Sequence, residues 1–308
     1  MSFVINLYKK NFLTRYDFDV AIPYYTVEDF KGLKEETGSF NNDNKMEIHY
    51  FIYFYPNYKK GKVILFLPGI GPGHRAYFKE INELAKAGYK VLTLDYQGTG
   101  YSKGKRLTSI YRPTMDVKLL LDHLKIKDEI ILVGHSLGAF TALNVINQFN
   151  LINKAVIISG FIDVKRGMRN FVKSRLLSSH IAHYEKKLHE DLASLNNRNY
   201  LKNTTDKLLF IQSEDDKLVS YKLNTKEVMK LNNKNLSFII EKDKNHNPNY
   251  TVEAVKLKDQ VINDYMTKVN NKVLKTKEER IDYFKDINID DLTVQDERII
   301  SKIINFIG

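Results

Sequence analysis

Short continuous apolar runs recur along the chain: Val63-Ile64-Leu65-Phe66-Leu67, Val91-Leu92-Thr93-Leu94, Ile130-Ile131-Leu132-Val133, Ala155-Val156-Ile157-Ile158 and Leu208-Leu209-Phe210-Ile211. A strand covered on both faces reads this way, because no position along it meets water. Between the early runs, Ala76 to Ala87 and Thr114 to Leu124 carry helical spacing, and Gly88 follows the first as a stop signal. The alternation predicts a mostly parallel sheet with crossover helices on both faces. Ahead of it, Lys34 to Phe40 and Met46 to Tyr55 read as two strands joined by Asn41-Asn42-Asp43-Asn44. A last strand is predicted over Leu236 to Glu241.

The alternation breaks twice. Asp163 to Asn203 has no strand character, and Met168, Phe171, Val172 and Leu176 recur at helical spacing, as on one helix face. A connection this long predicts a helical cap or lid. A second charged, helical excursion runs from Thr251 to Asp290, before an amphipathic closing helix over Asp296 to Phe306. The expected organisation is residues 1–162, an arm and the first part of the core; 163–204, the cap; 205–250, the second part of the core; 251–290, an insertion; and 291–308, the closing helix. Residues 1–33 show no clean period and are expected to form an N-terminal arm.

Composition narrows the picture. The 308 residues include no cysteine, which excludes disulfides and thiolate metal sites and suits a reducing cytoplasm. The first residues lack the pattern of a secretory signal. The net charge of +11 is spread along the chain without an arginine–aromatic stripe, which points away from nucleic acid. One local concentration stands out: Lys165, Arg166, Arg169 and Lys173 lie opposite the apolar cap residues, an arrangement compatible with resting on an anionic membrane.

In a parallel sheet, ligands sit beyond the carboxyl ends of the strands. The Ile130–Val133 run leads into Gly134-His135-Ser136-Leu137-Gly138 and then a helix-forming segment. Strand, tight turn and helix put a serine hydroxyl above a helix N-terminus, with Gly134 and Gly138 small because the turn leaves no room. Serine needs a base to take its proton and an acid to orient that base. Asp216 follows the 208–211 strand and His246 follows the last strand, so Ser136, Asp216 and His246 occur in the order such a sheet requires. Asp215 and Asp163 are alternative acids. His135 is expected to be a packed structural residue, and His123 a surface or core one. His74 is open between lining the pocket and facing solvent. His180, His183 and His189, with Glu185 and Glu190 near, make only a weak metal pattern, and no metal or cofactor is expected.

These motifs resemble the α/β-hydrolases of the serine-aminopeptidase-like, monoglyceride-lipase-like group. Gly134-His135-Ser136-Leu137-Gly138 matches that group's nucleophile motif, and Asp95-Tyr96-Gln97-Gly98-Thr99-Gly100-Tyr101-Ser102 its Asp-x-x-Gly-x-Gly-x-Ser loop. The oxyanion motif His-Gly-x-Gly is present as Pro68-Gly69-Ile70-Gly71, with proline for histidine. His-Gly-x-x-Asp-x-x-Val is present as Gln212-Ser213-x-x-Asp216-x-x-Val219, with its two leading residues changed. The resemblance implies an α/β-hydrolase fold and a serine esterase whose small-molecule ester substrate carries a short or medium acyl chain or is a monoacylglycerol or lysophospholipid. Its N–H donors to the oxyanion would be Ile70 and Leu137. Aminopeptidase, amidase, thioesterase and non-catalytic ligand-binding functions occupy the same fold as alternatives.

Overall fold

The computed structural model describes residues 2–19, 21–149 and 152–308; Met1, Val20, Asn150 and Leu151 lie outside it. Its strands are β1 (Lys34–Asn41), β2 (Glu47–Phe54), β3 (Lys62–Leu67), β4 (Lys90–Leu94), β5 (Glu129–His135), β6 (Lys154–Ile158), β7 (Lys207–Ser213) and β8 (Leu236–Glu241). They form one eight-stranded sheet in the order β1-β2-β4-β3-β5-β6-β7-β8. β2 pairs antiparallel with both β1 and β4, and every pairing from β4 through β8 is parallel. The predicted strands are therefore all present, with ends moved by a residue or two.

The chain opens with helix α1 (Ser2–Phe12), where no period was expected. Val4, Ile5, Tyr8 and Phe12 face inward at helical spacing, but Phe3 and Leu7 stand exposed on the opposite side and blur the pattern. α2 (Phe78–Lys86) begins later than the predicted helix because His74–Tyr77 form a tighter 3-10 turn. α3 (Arg112–Leu124) and α4 (Leu137–Gln148) follow.

Between β6 and β7 the regular structure is all helical, as α5 (Val164–Gly167), α6 (Arg169–Val172), α7 (Arg175–Leu188), α8 (Glu190–Ala193) and α9 (Asn197–Asn203). The expected single helix through Met168 and Leu176 is corrected here. Lys173 takes a left-handed conformation at φ 49°, and the Ser174 side chain caps a new helix by accepting from Leu177 N–H. Leu176 is consequently turned to solvent at 78% exposure, while Met168 is buried. α10 (Thr225–Met229) precedes β8, and α11 (Val252–Asn270), α12 (Lys277–Phe284) and α13 (Ile289–Leu292) form the second helical excursion. α14 (Glu297–Ile307) closes the chain.

The continuous apolar strands are explained by what covers them. On β3 and β5, Leu65, Leu67 and Leu132 pack with Val117 and Leu120 of α3 and Leu143 and Ile146 of α4. The alternate residues Ile64, Phe66, Ile131 and Val133 pack with Ile81 and Leu84 of α2 and Ile299 and Ile303 of α14. Each such side chain contributes about 1.5–3 kcal/mol on burial, so both faces hold the sheet rigid under the loops at its carboxyl edge. No described helix is long and apolar enough to cross a membrane.

Candidate active site

Ser136 occupies the turn between β5 and α4 with φ 55° and ψ −115°, a conformation that side-chain-bearing residues rarely adopt. Its N–H donates to Ile158 O of β6 at 2.9 Å and its carbonyl accepts from Phe140 N–H at 3.1 Å, so neighbouring structure holds the strain in place. The flanking glycines are a steric requirement. A Cβ on Gly134 would lie 2.3 Å from Gly138 O, and one on Gly138 would lie 1.9 Å from Leu67 O.

His246 and Asp216 are in direct contact. The carboxylate can only accept, so the imidazole Nδ1 carries the proton and donates to the two Asp216 oxygens at 3.0 and 2.9 Å. Asp216 Oδ1 also accepts from the N–H groups of Leu218 and Val219 at 2.9 and 2.8 Å. Gln212 Nε2 donates to Asp216 Oδ2 at 3.2 Å, and its Oε1 accepts from Thr225. The glutamine that departs from the resembled motif thus braces Asp216. Asp215 serves a different partner, accepting from Asn245 N–H at 3.2 Å and from the Ser213 hydroxyl. Asp163 is the N-cap of α5, accepting from Arg166 N–H at 2.8 Å.

The Ser136 hydroxyl makes no hydrogen bond among the described residues; the structure brings His246 onto Asp216 and does not bond it to Ser136. The backbone N–H groups of Ile70 and Leu137 are likewise without an acceptor among the described residues. Ser136, Ile70 and Leu137 line one cavity of about 180 Å³, together with Phe12, Phe171 and Lys217. A cavity of about 150 Å³ already admits benzene, so a small organic group fits this space. Phe12 and Phe171 meet edge to face at 4.6 Å, so one wall comes from α1 and another from α6.

A chain of hydrogen bonds joins the three loops of the site. Gly69 N–H donates to Tyr77 Oη at 3.0 Å, and Tyr77 Oη–H donates to His135 Nδ1 at 3.0 Å. His135 Nε2–H in turn donates to His246 O at 2.8 Å. Burial pushes His135 down to about 3, with repulsion from His246 adding to it, so its ring is neutral and supplies the one donor and one acceptor this chain needs. The sequence identified His135 as a packed residue; Tyr77 carried no local signal.

The Asp95 loop supports the loop after β3 from the other side. Asp95 accepts from His74 N–H at 2.8 Å and from Tyr101 N–H at 2.9 Å, and Tyr96 Oη–H donates to Pro68 O at 3.1 Å. His74 is 1% exposed and neither faces solvent nor lines the candidate cavity. His123 is an exposed residue stacked on Phe40. Glu185 is not available to a metal or an amine: it accepts from Tyr8 Oη–H at 2.7 Å, from Ile110 N–H at 3.1 Å and from the Ser109 hydroxyl. The His246 loop is itself anchored, since buried Lys244 pairs with Glu241 at 3.1 Å and with Asp296, the N-cap of α14.

Residues 58–223, just over half of the chain, match the model of the family described as serine aminopeptidase, S33. A curated epoxide hydrolase from Caballeronia sordidicola is 37% identical over 87 residues, covering 27% of this chain and 26% of that protein. Salicylic acid-binding protein 2 from Nicotiana tabacum is 35% identical over 82 residues, covering 26% of this chain and 32% of that protein. The chain thus spans at most about a third of either relative. Among solved structures, an esterase from Pyrococcus furiosus superposes with a TM-score of 0.57 at 21% identity, covering 85% of this chain and 97% of that one.

Proposed function

This chain belongs to the serine aminopeptidase S33 family of α/β-hydrolases, and we propose that it hydrolyses small carboxylic esters through Ser136, His246 and Asp216. The observation that carries this reading is the strained Ser136 at the rim of an apolar cavity shared with the unengaged N–H groups of Ile70 and Leu137. Ser136 Oγ attacks the acyl carbonyl while His246 Nε2 takes its proton. Asp216, bonded to the far nitrogen, stabilises the imidazolium. The carbonyl oxygen, now negative, is received by Ile70 and Leu137 N–H, a kind of contact worth about 3–4 kcal/mol in the transition state. Collapse expels the alcohol with the proton from His246, leaving an acyl-serine that water then cleaves by the same route.

The cavity wall favours ester over aminopeptidase chemistry. A substrate α-ammonium needs a carboxylate partner, and the one charged residue lining the cavity among the described residues is the cation Lys217. In this reading the helices of residues 163–204 are a cap over the acyl site, and the protein works in the cytoplasm on a small-molecule ester. A fluorophosphonate probe should label the wild-type protein and not Ser136→Ala, and that variant should lose at least a thousandfold in kcat on p-nitrophenyl butyrate. Turnover retained in a folded Ser136→Ala protein would remove this mechanism.

A further inference from the structure

We propose that a second cavity, separate from that of Ser136, binds the cationic, N–H-bearing end of a small organic molecule: an alkylammonium or alkylguanidinium group. The cavity measures about 250 Å³ and shares no lining residue with the candidate catalytic one. Glu35 and Thr37 of β1 and Phe51 of β2 form one wall, at alternate positions that put them on a single face of the strand pair. His74 and Arg75, from the 3-10 turn before α2, and Tyr101 of the Asp95 loop form the other.

His74 carries the inference. Its buried ring stacks on Phe51 with 3.8 Å between centroids, and its N–H and Nδ1 both bond Asp95 Oδ1, at 2.8 and 2.9 Å. The carboxylate can only accept, so Nδ1 carries the proton and Nε2 is left as an acceptor. Nε2 has no partner among the described residues and opens on this cavity. A lone pair fixed in that direction calls for a donor on the ligand. Glu35 supplies the opposite charge: its Oε2 accepts from Tyr53 Oη–H at 2.6 Å, and it makes no ion pair among the described residues. The cation in the wall is already engaged. Arg75 Nε and Nη2 donate to the carbonyls of Tyr25 and Tyr24 at 3.2 and 3.3 Å, Nη1 donates to Tyr101 Oη at 3.4 Å, and the guanidinium lies over the Phe18 ring. His49, the remaining titratable group of the wall, faces Glu47 at 3.6 Å. The rings of Phe51 and Tyr101 add an attraction for a cation that an anion would not share. A quaternary ammonium would meet the charge and the rings but leave Nε2 unmet, which is why the N–H is required.

None of this depends on ester hydrolysis at Ser136. Binding to the full chain should be followed by NMR titration with butylammonium, butylguanidinium, butyltrimethylammonium and butanol in matched salt. At least one of the first two should bind tenfold or more tighter than butyltrimethylammonium, which has no N–H, and than butanol, which has no charge. Glu35→Gln keeps an acceptor for Tyr53 and removes the charge, so it should weaken that binding at least tenfold. Thr37→Lys, at an exposed position of β1, places a competing ammonium in the cavity and should abolish binding. It carries the test if Glu35→Gln does not fold. No binding of either N–H cation, equally tight binding of the quaternary one, or equal binding to wild type and folded variants would overturn the proposal.

Discussion

The carbonyl oxygen of His246 rests 2.8 Å from His135 Nε2, so the loop of the candidate base is held by the residue adjoining the candidate nucleophile. Tyr77 extends this hold to the oxyanion loop through Gly69 N–H. Tyr77→Phe removes both bonds while keeping the ring, leaving Gly69 N–H and His135 Nδ1 unpaired in a buried place. Stability should fall by about 1–3 kcal/mol. Under the proposed mechanism kcat should fall about tenfold or more with KM little changed, because alignment and not the cavity wall is disturbed. An unchanged kcat in steady-state assays would reduce Tyr77 to packing.

His135 should make the protein acid-sensitive. Its folded-state value of about 3 lies below the ordinary value of 6.5, so the unfolded chain binds the proton more readily. Its contribution to stability is complete above about 6.5 and is lost as pH falls from there toward 3. The slope is about 1.4 kcal/mol per pH unit in that window. Thermal or urea unfolding from pH 7.5 to 4.5 should show it, and a His135→Gln variant, though weaker at neutral pH, should show a flatter profile.

Asp216 orients His246 through Nδ1 in the proposed mechanism. Asp216→Asn preserves shape but offers an N–H where the imidazole must donate, favouring the wrong tautomer. A loss of about 10³–10⁴ in kcat on p-nitrophenyl esters is expected, with fluorophosphonate labelling slowed in parallel. A loss of less than tenfold would exclude Asp216 from the mechanism.

Phe12 sets the length of the acyl site if its contact with Phe171 closes the far wall. Phe12→Ala opens that wall, so the ratio of kcat/KM for octanoyl over butyryl esters should rise about tenfold. A ratio that does not move would place the acyl group elsewhere.

Much of this was legible in the sequence, for physical reasons that also mark where legibility ends. A strand buried on both faces leaves a continuous run, and the serine turn leaves two small residues at fixed spacing. Strands β3 to β7 and the turn at Ser136 could be read from those signs, and Asp216 and His246 from their place after later strands. Tyr77 and Phe12 left none. Each acts through a partner brought near by folding, Tyr77 on His135 from 58 positions away, and neither periodicity nor motif encodes such a meeting. The break after Lys173 was hidden differently. A left-handed lysine followed by a capping serine resembles ordinary helix surface until its backbone is seen.

The Tyr8–Glu185 hydrogen bond spans 177 positions, and it fastens the helix that delivers Phe12 to the cavity. During synthesis α1 therefore waits, with its aromatic side chains uncovered, until Glu185 has been added. A helix far from Glu185 in sequence thus becomes one of the last walls of the pocket, and loosening it would reshape the cavity before it disturbed the sheet.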